Sequence, residues 1–289
     1  MNTSAILNFA SKLLGVLATR VSLIPVGGGD INQSYVASTQ AGDKVFIKVN
    51  RDVAPLQSEF DALRRLQDLG VKFYPQVKAF ERGQDGALLA LNFVELRSVT
   101  ARYASSVADA LRLQHAISCD RFGWFENGHI GYSVQVNEWR DDWIDFFTDM
   151  RLLPQLIAAR DNGMSVQLVR KVERVIKSLG HIIDTSLIRP ALVHGDLWVG
   201  NLAIDNLLDQ PLLFDPAPYF GDAEVDIAMT KLFGSLPEQF YESYKSQARA
   251  DSVGERHAVY NLYHALNHFN IFGAGYERMV ENFCTKLRA

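Results

Sequence analysis

Apolar positions in the first hundred residues repeat first with a helical period and then with a period of two. Ile6, Leu7, Phe9, Leu13, Leu14 and Leu17 fall at helical spacings and predict an amphipathic helix over 5–18. Val21 to Val26 reads as extended. Tyr35 to Ser38 and Lys44 to Val49 read as strands joined by Ala41-Gly42-Asp43. A second helix follows, with Pro55 in its first turn, Gly70 at its end and Leu56, Phe60, Leu63 and Leu66 as its buried stripe. Tyr74-Pro75-Gln76-Val77 opens another strand, Gly83 to Gly86 turns it, and Ala87 to Val94 is nearly continuous apolar sequence, as in a central strand. The pattern predicts an antiparallel sheet with one main helix.

Beyond residue 95 helical periods dominate. Val99 to Ile117 reads as a helix, and Asn137 as the N-cap of another, with Glu138, Asp141 and Asp142 placing negative charge in its first turn. Trp139, Trp143, Phe146, Phe147 and Met150 make a broad aromatic stripe, most of it core, with one or two rings free to wall a pocket. Further helices are expected over 166–184, 225–233, 255–272 and 276–287. The apolar runs Pro190 to Val193 and Leu212 to Phe214 read as strands. The expected class is α+β in two lobes, an N-lobe over 1–95 and a larger, mostly helical C-lobe over 96–289.

At 289 residues and 48% hydrophobic, the chain is large and apolar enough for a substantial core. A net charge of -4 argues against a general nucleic-acid or anionic-membrane binder. No apolar run reaches bilayer-spanning length, and no basic segment precedes the first apolar residues, so neither a membrane span nor a signal peptide is expected. Two cysteines far apart, Cys119 and Cys284, fit a reducing cytoplasm better than a disulfide framework. A monomer or weak homodimer is expected.

The candidate chemistry lies in His194-Gly195-Asp196-Leu197-Trp198-Val199-Gly200-Asn201, followed by Asp215-Pro216-Ala217. Asn201 follows Asp196 at the spacing of the phosphoryl-transfer loop H-R-D-L-x-x-x-N, and Asp215 stands where the metal-binding Asp of D-F-G would be. A phosphate donor is polyanionic, so Mg²⁺ must screen it. Hard cations take oxygen ligands, which the Asn201 amide and the Asp215 carboxylate supply. Asp196 would orient the attacking hydroxyl and accept its proton. The alternative is a turn in which Asp and Asn satisfy local backbone donors.

Upstream, Gly27-Gly28-Gly29-Asp30-Ile31-Asn32 forms a glycine-rich first turn, able to bring backbone N–H groups to a phosphate or simply to act as a flexible turn. Strand alternation puts Phe46 and Lys48 on one face, opposite Val45, Ile47 and Val49. An ammonium on so apolar a strand needs an anion, and Glu59 on the next helix offers one, the arrangement that grips the α- and β-phosphates of ATP. Chain order makes Asn92, Phe93 and Val94 the hinge that meets the adenine. Asp226 is placed as a helix cap or a brace for the catalytic loop. His194 reads as an orienting or packing residue, and His264 and His268 as packing residues, since no third ligand accompanies them.

With these residues assembled, the chain resembles the fructosamine kinase (ketosamine 3-kinase) family, which is similar to aminoglycoside phosphotransferases and shares the protein-kinase-like fold. The resemblance runs from about Gly27 to Gly275. It rests on Gly27-Gly28 with Ile31-Asn32, Val45-Phe46-Ile47-Lys48, Gln135-Val136-Asn137-Glu138-Trp139 with Trp143, and Arg151-Leu152. It rests most on His194-Gly195-Asp196-Leu197-Trp198, Asp215-Pro216-Ala217 and Gly221-Asp222-Ala223-Glu224-Val225-Asp226. The resemblance implies ATP-dependent phosphorylation of a free or protein-bound ketosamine on its 3-hydroxyl, with Asp196 as proton acceptor, Asn201 and Asp215 on Mg²⁺, and Lys48 and Glu59 on the phosphates. Trp198, Asp222 and Glu224 are candidate substrate residues. Val199 stands where a Ser is usual, and Leu232-Phe233-Gly234-Ser235 lacks a usual second glycine, which bears on substrate preference. A kinase for an amino alcohol or aminoglycoside, and a non-catalytic nucleotide-binding protein, are the competing expectations.

Overall fold

A computed structural model of the chain describes residues 2–27, 31–244 and 253–289. In chain order its elements are α1 (Thr3–Leu14), β1 (Ser22–Val26), β2 (Gln33–Ser38), β3 (Lys44–Asn50), α2 (Val53–Asp68), β4 (Val77–Gly83), β5 (Gly86–Asn92) and β6 (Leu96–Arg97). Then come α3 (Ala104–His115), β7 (Gly128–Ile130), β8 (Ser133–Gln135), α4 (Trp143–Phe147), α5 (Leu153–Asp161), α6 (Val166–Ile182), β9 (Ala191–Val193), β10 (Leu202–Asp205), β11 (Gln210–Leu213) and β12 (Tyr219–Gly221). The chain closes with α7 (Glu224–Met229), α8 (Glu238–Tyr244), α9 (Val253–Phe272) and α10 (Glu277–Lys286). These elements group into two compact units. One comprises residues 1–97 and 203–215, the other 98–202 and 216–289. The hairpin over 203–215, which chain order alone assigns to the second lobe, groups with the first because β10 pairs with β6.

The first unit is an antiparallel sheet in the order β1-β2-β3-β5-β4. Alternation along β3 sorts its side chains. Val45, Ile47 and Val49 join Ile6, Phe9 and Ala10 of α1 in one core, with Ala37, Leu88 and Ala90. Phe46 and Lys48 face the other side, where α2 buries Leu56, Leu63 and Leu66. The sheet therefore lies between two helices, and β5 is buried along almost its whole length. Gly86 opens β5 at φ +136°, and a Cβ there would stand 2.1 Å from the Asn50 carbonyl oxygen, so a side chain is excluded. A small second sheet, β11-β10-β6, completes the unit. Asp205 tightens the turn of its hairpin by accepting from the N–H groups of Leu207 and Leu208 at 2.8 and 3.0 Å.

The second unit is mostly helical, with the short ladders β9–β12 and β7–β8. Its centre is aromatic. Trp143, Phe146, Phe147, Tyr219 and Tyr260 are all buried and touch ring to ring. Complete burial of one such ring stabilises by about 1.5–3 kcal/mol. The Trp143 indole N–H donates to the Tyr260 hydroxyl, 3.2 Å, which donates to Asp222 Oδ2, 2.6 Å.

Two expectations for this unit change. Asn137 does not cap a helix. The exchange of backbone hydrogen bonds between Phe122 and Arg140 holds residues 137–142 in a loop. The cap is Asp142, whose Oδ1 accepts from the Asp145 N–H at 3.0 Å. Trp139 consequently leaves the helical stripe and stacks on Phe220, with centroids 6.2 Å apart. The helix expected over 99–117 begins only at Ala104, after a 3-10 turn over Ala101–Tyr103. Between α4 and α5 the backbone takes a π-helical turn, Thr148–Leu152, an irregularity that often accompanies functional positions.

Candidate active site

In the first unit, β3 carries Lys48 into an anionic setting. Its ammonium donates to Glu59 Oε1 on α2 at 2.6 Å and also to Asp215 Oδ1. Lys48 and Glu59 side chains are only 8% and 10% exposed, whereas Asp215 is half exposed. Burial alone would lower the Lys48 pKa, but the adjoining Asp215 and Glu59 carboxylates reverse this and raise it. Burial pushes the Glu59 carboxyl up, although Lys48 draws it back. Removing one member of such a buried pair leaves a charge uncompensated, at a cost of about 3–5 kcal/mol. Asp215 follows β11 at φ +51°, a left-handed backbone that an Asp tolerates better than most residues.

Asn50, at the end of β3, donates to the Asn32 side-chain oxygen at 2.8 Å and to the Ile31 carbonyl at 3.2 Å. It thereby holds the C-terminal side of the glycine-rich turn. Gly27 lies at the end of β1; Gly28 and Gly29 fall outside the described residues. At the end of β5, Asn92 uses both its N–H, to the Gln76 carbonyl at 2.9 Å, and its side-chain oxygen, from the Gln76 N–H at 2.6 Å. Phe93 lies under the Lys44 ammonium, 4.8 Å from the ring centre, and Val94 is half-buried.

In the second unit, β9 delivers His194-Gly195-Asp196 into a tight turn. The turn is held from beneath by Asp226 on α7, which is 1% exposed. Its Oδ2 accepts from the His194 N–H at 2.7 Å and its Oδ1 from the Gly195 N–H at 2.9 Å. His115 Nε2 lies 3.0 Å from Oδ2, while its Nδ1 is 2.6 Å from the Tyr244 hydroxyl. Burial works to raise the Asp226 carboxyl, but the bonds from His115 and His194 hold it below the usual range. Gly195 has φ +84°, and a Cβ there would sit 2.0 Å from the Ala217 carbonyl oxygen. His194, expected to orient or to pack, is fully buried and accepts the Asp196 N–H on Nδ1 at 3.2 Å.

Asn201 stands in a 3-10 turn, Val199–Asn201. Its amide nitrogen donates to the Asp196 carbonyl at 2.9 Å and approaches Asp196 Oδ2 at 3.4 Å. The nitrogen is thus the engaged end, and the amide oxygen, the atom a hard cation takes, points away from these acceptors. Trp198 folds over Gly200, where a Cβ would stand 2.2 Å from its ring, and meets Phe233 edge to face at 6.2 Å. Phe233 in turn lies 4.6 Å from the His268 ring. Val199 and the Leu232–Ser235 segment, where the sequence departs from the family pattern, come together: a Cβ on Gly234 would be 3.1 Å from Val199 Cγ2.

Asp222 and Glu224 are committed within the unit. Asp222 is 4% exposed and accepts from the Glu224 N–H and from Tyr260. Glu224 takes Nε and Nη2 of Arg256 in a two-pronged ion pair at 2.8 and 3.0 Å. Two residues with site-building contacts, Asn50 and His115, carried no signal in the sequence, and Arg151 entered there only as part of the family resemblance. Arg151 is fully buried in the π-helical turn. It donates to the Val136 carbonyl at 2.6 Å and to Asn137 Oδ1 at 2.7 Å, with its guanidinium 3.9 Å from the Tyr219 ring centre. Among the described residues no group of three or more His, Cys, Asp or Glu side chains could hold a metal.

A sequence model described as fructosamine kinase matches residues 3–289. The chain belongs to the fructosamine kinase family. This fructosamine kinase relative is 37% identical over 261 residues to a probable ketoamine kinase of Synechocystis sp., spanning 89% of this chain and 86% of that one. It is 32% identical to a chloroplastic protein-ribulosamine 3-kinase of Arabidopsis thaliana, over 94% of this chain and 86% of that one. The crystal structure of a fructosamine-3-kinase-type protein from Thermobifida fusca matches with a TM-score of 0.82 at 29% identity, covering 100% of both chains. The fold extends to the aminoglycoside phosphotransferase APH(4)-Ia, with a TM-score of 0.69 at 14% identity, over 98% of this chain and 97% of that one. The fold is therefore protein-kinase-like, and the fructosamine kinase chain is a phosphotransferase. Among the described residues no helix is long and apolar enough to cross a membrane.

Proposed function

We propose that this fructosamine kinase transfers the γ-phosphoryl group of ATP to the 3-hydroxyl of a ketosamine, free or on a protein. The observation that carries the reading is Lys48, held charged between Glu59 and Asp215 in a buried setting that an ATP phosphate would complete. The relatives' names, ketoamine kinase and protein-ribulosamine 3-kinase, supply the acceptor class.

In this reading Lys48 holds the α- and β-phosphates, Gly27, Gly28, Gly29 and Asn32 approach the phosphate chain from the turn, and Glu59 fixes the Lys48 ammonium. Phe93 and Val94 carry the adenine contacts, since the Asn92 N–H is already spent on Gln76. Asn201 and Asp215 would hold Mg²⁺ through one amide and one carboxylate oxygen. When bound, the cation screens the phosphate charge. Asp196 accepts the proton of the 3-hydroxyl as that oxygen attacks phosphorus, and the Asp226 brace keeps its backbone in place for this. Trp198 walls the acceptor. Asp222 and Glu224 are spent on Tyr260 and Arg256, so these two carboxylates are not free to receive a polycation, which counts against their serving an aminoglycoside acceptor. Two unpaired cysteines support a reducing compartment such as the cytoplasm.

An ADP-coupled assay tests the proposal, with fructosyl-lysine and ribulosyl-lysine set against choline and an aminoglycoside. Mg²⁺-dependent ADP release with the ketosamines, and their conversion to 3-phosphates, is expected. ADP release with choline or the aminoglycoside and none with a ketosamine would overturn it.

A further inference from the structure

The second unit contains a polar atom that the reaction described above does not use. His264 sits in the middle of α9 and is 3% exposed. Its Nδ1 is buried and makes no hydrogen bond. That same atom faces Asp196 Oδ1 at 4.0 Å, too far for a direct bond. A buried polar group without a partner is costly and calls for an explanation.

The neighbours narrow the explanation. The imidazole is not a metal ligand in waiting, because its ring neighbour along the helix, His268, directs Nδ1 to the His264 carbonyl at 2.8 Å and packs against Phe233 and Tyr276. Burial pushes His264 down to about 3, so it does not compete with Asp196 for a proton and stays neutral. A neutral imidazole nitrogen pairs with a hydroxyl as either tautomer, because a hydroxyl both donates and accepts. A 4.0 Å separation matches the spacing at which two neighbouring hydroxyls could bond, one to Asp196 and the next to Nδ1.

We propose that His264 is a specificity-determining residue that hydrogen-bonds the 4-hydroxyl of the acceptor while Asp196 takes the proton of the 3-hydroxyl, so that the enzyme selects vicinal polyols. This rests on the reading of the acceptor as a ketosamine. A site built to bond a hydroxyl rejects an analogue that lacks it, because the buried nitrogen is then left unpaired.

The test compares fructosyl-lysine with its 4-deoxy analogue, using the full-length enzyme with ATP and Mg²⁺. Wild-type enzyme is expected to favour the parent by about ten- to a hundredfold in kcat/KM, the usual worth of one such bond. The ratio should collapse toward one in His264→Phe and recover in part in His264→Asn, which keeps a short polar group. Equal use of both acceptors by the wild type overturns the inference without requiring any variant to fold. An equal loss on both acceptors in His264→Phe also overturns it, since the imidazole would then be positioning Asp196. No turnover of either ketosamine, with turnover of choline, would remove the functional reading instead.

Discussion

Asp226→Asn isolates the brace under the catalytic turn. The carboxylate has two oxygens and receives three donors: the N–H groups of His194 and Gly195, at 2.7 and 2.9 Å, and His115 Nε2 at 3.0 Å. An amide keeps one oxygen and turns an NH₂ toward the other donors. With the NH₂ at the Oδ1 position the Gly195 N–H is buried against another donor; with it at the Oδ2 position the His194 N–H is, and His115 loses its acceptor as well. Each stranded donor costs about 1–3 kcal/mol, so roughly 2–4 kcal/mol of stability should be lost. At about 2–4 °C per kcal/mol for chains of a few hundred residues, the melting temperature should fall by roughly 5–10 °C. The Gly195-Asp196 peptide is no longer fixed, and a displacement on the order of 1 Å at a reacting group costs about a hundredfold in rate. Differential scanning fluorimetry and the ketosamine-coupled ADP assay read the two effects. An unchanged melting temperature together with unchanged kcat would show that Asp226 does not brace the turn.

Three further outcomes are expected. Asp196→Asn should retain nucleotide binding and lose about 10² to 10⁴ in kcat, the usual worth of a positioned base; full turnover would contradict its assignment. Asp215→Ala should lose Mg²⁺-dependent ATP affinity by titration calorimetry while Lys48 keeps its bond to Glu59; unchanged Mg·ATP affinity would contradict the metal assignment. Acid should destabilise the fold through His264 and His257, which burial pushes down to about 3 and about 4 from 6.5. Between these limits the unfolded chain holds protons that the folded chain does not, so stability is complete above about pH 6.5 and falls as pH drops toward 3 to 4. The loss is on the order of 2 kcal/mol per histidine near pH 5. Thermal melts at about pH 7.5 and pH 5 should show it, and equal melting temperatures would refute it.

Much of the first unit was legible because its signals are local. Alternation in Val45-Phe46-Ile47-Lys48-Val49 assigned the faces, and the stripe Leu56, Leu63, Leu66 put Glu59 within reach of the faced-away Lys48. The turn that carries Asp196 and Asn201 stood out because the candidate chemistry asks for them at one spacing. What escaped depends on contacts between segments far apart in the chain. Asn137 looks like a cap because it precedes three acids, but the Phe122–Arg140 ladder removes the backbone freedom a helix start requires. Arg151 belongs to the family pattern, but nothing local in the sequence announces the π-helical turn that directs it into a box of Phe146 and Tyr219. His115 reaches Asp226 from 111 residues away. The hairpin over 203–215 groups with β6 because of a pairing that no local pattern announces.

The indole of Trp198 occupies the space that any side chain at position 200 would fill. Two neighbouring positions thus share one volume and cannot vary independently. Alanine at 200 requires a smaller ring or none at 198, and a smaller residue at 198 opens a hollow that alanine at 200 would partly close. A test of the proposal that Trp198 walls the acceptor, by trimming the tryptophan, is therefore best made as a paired exchange with the glycine two residues on.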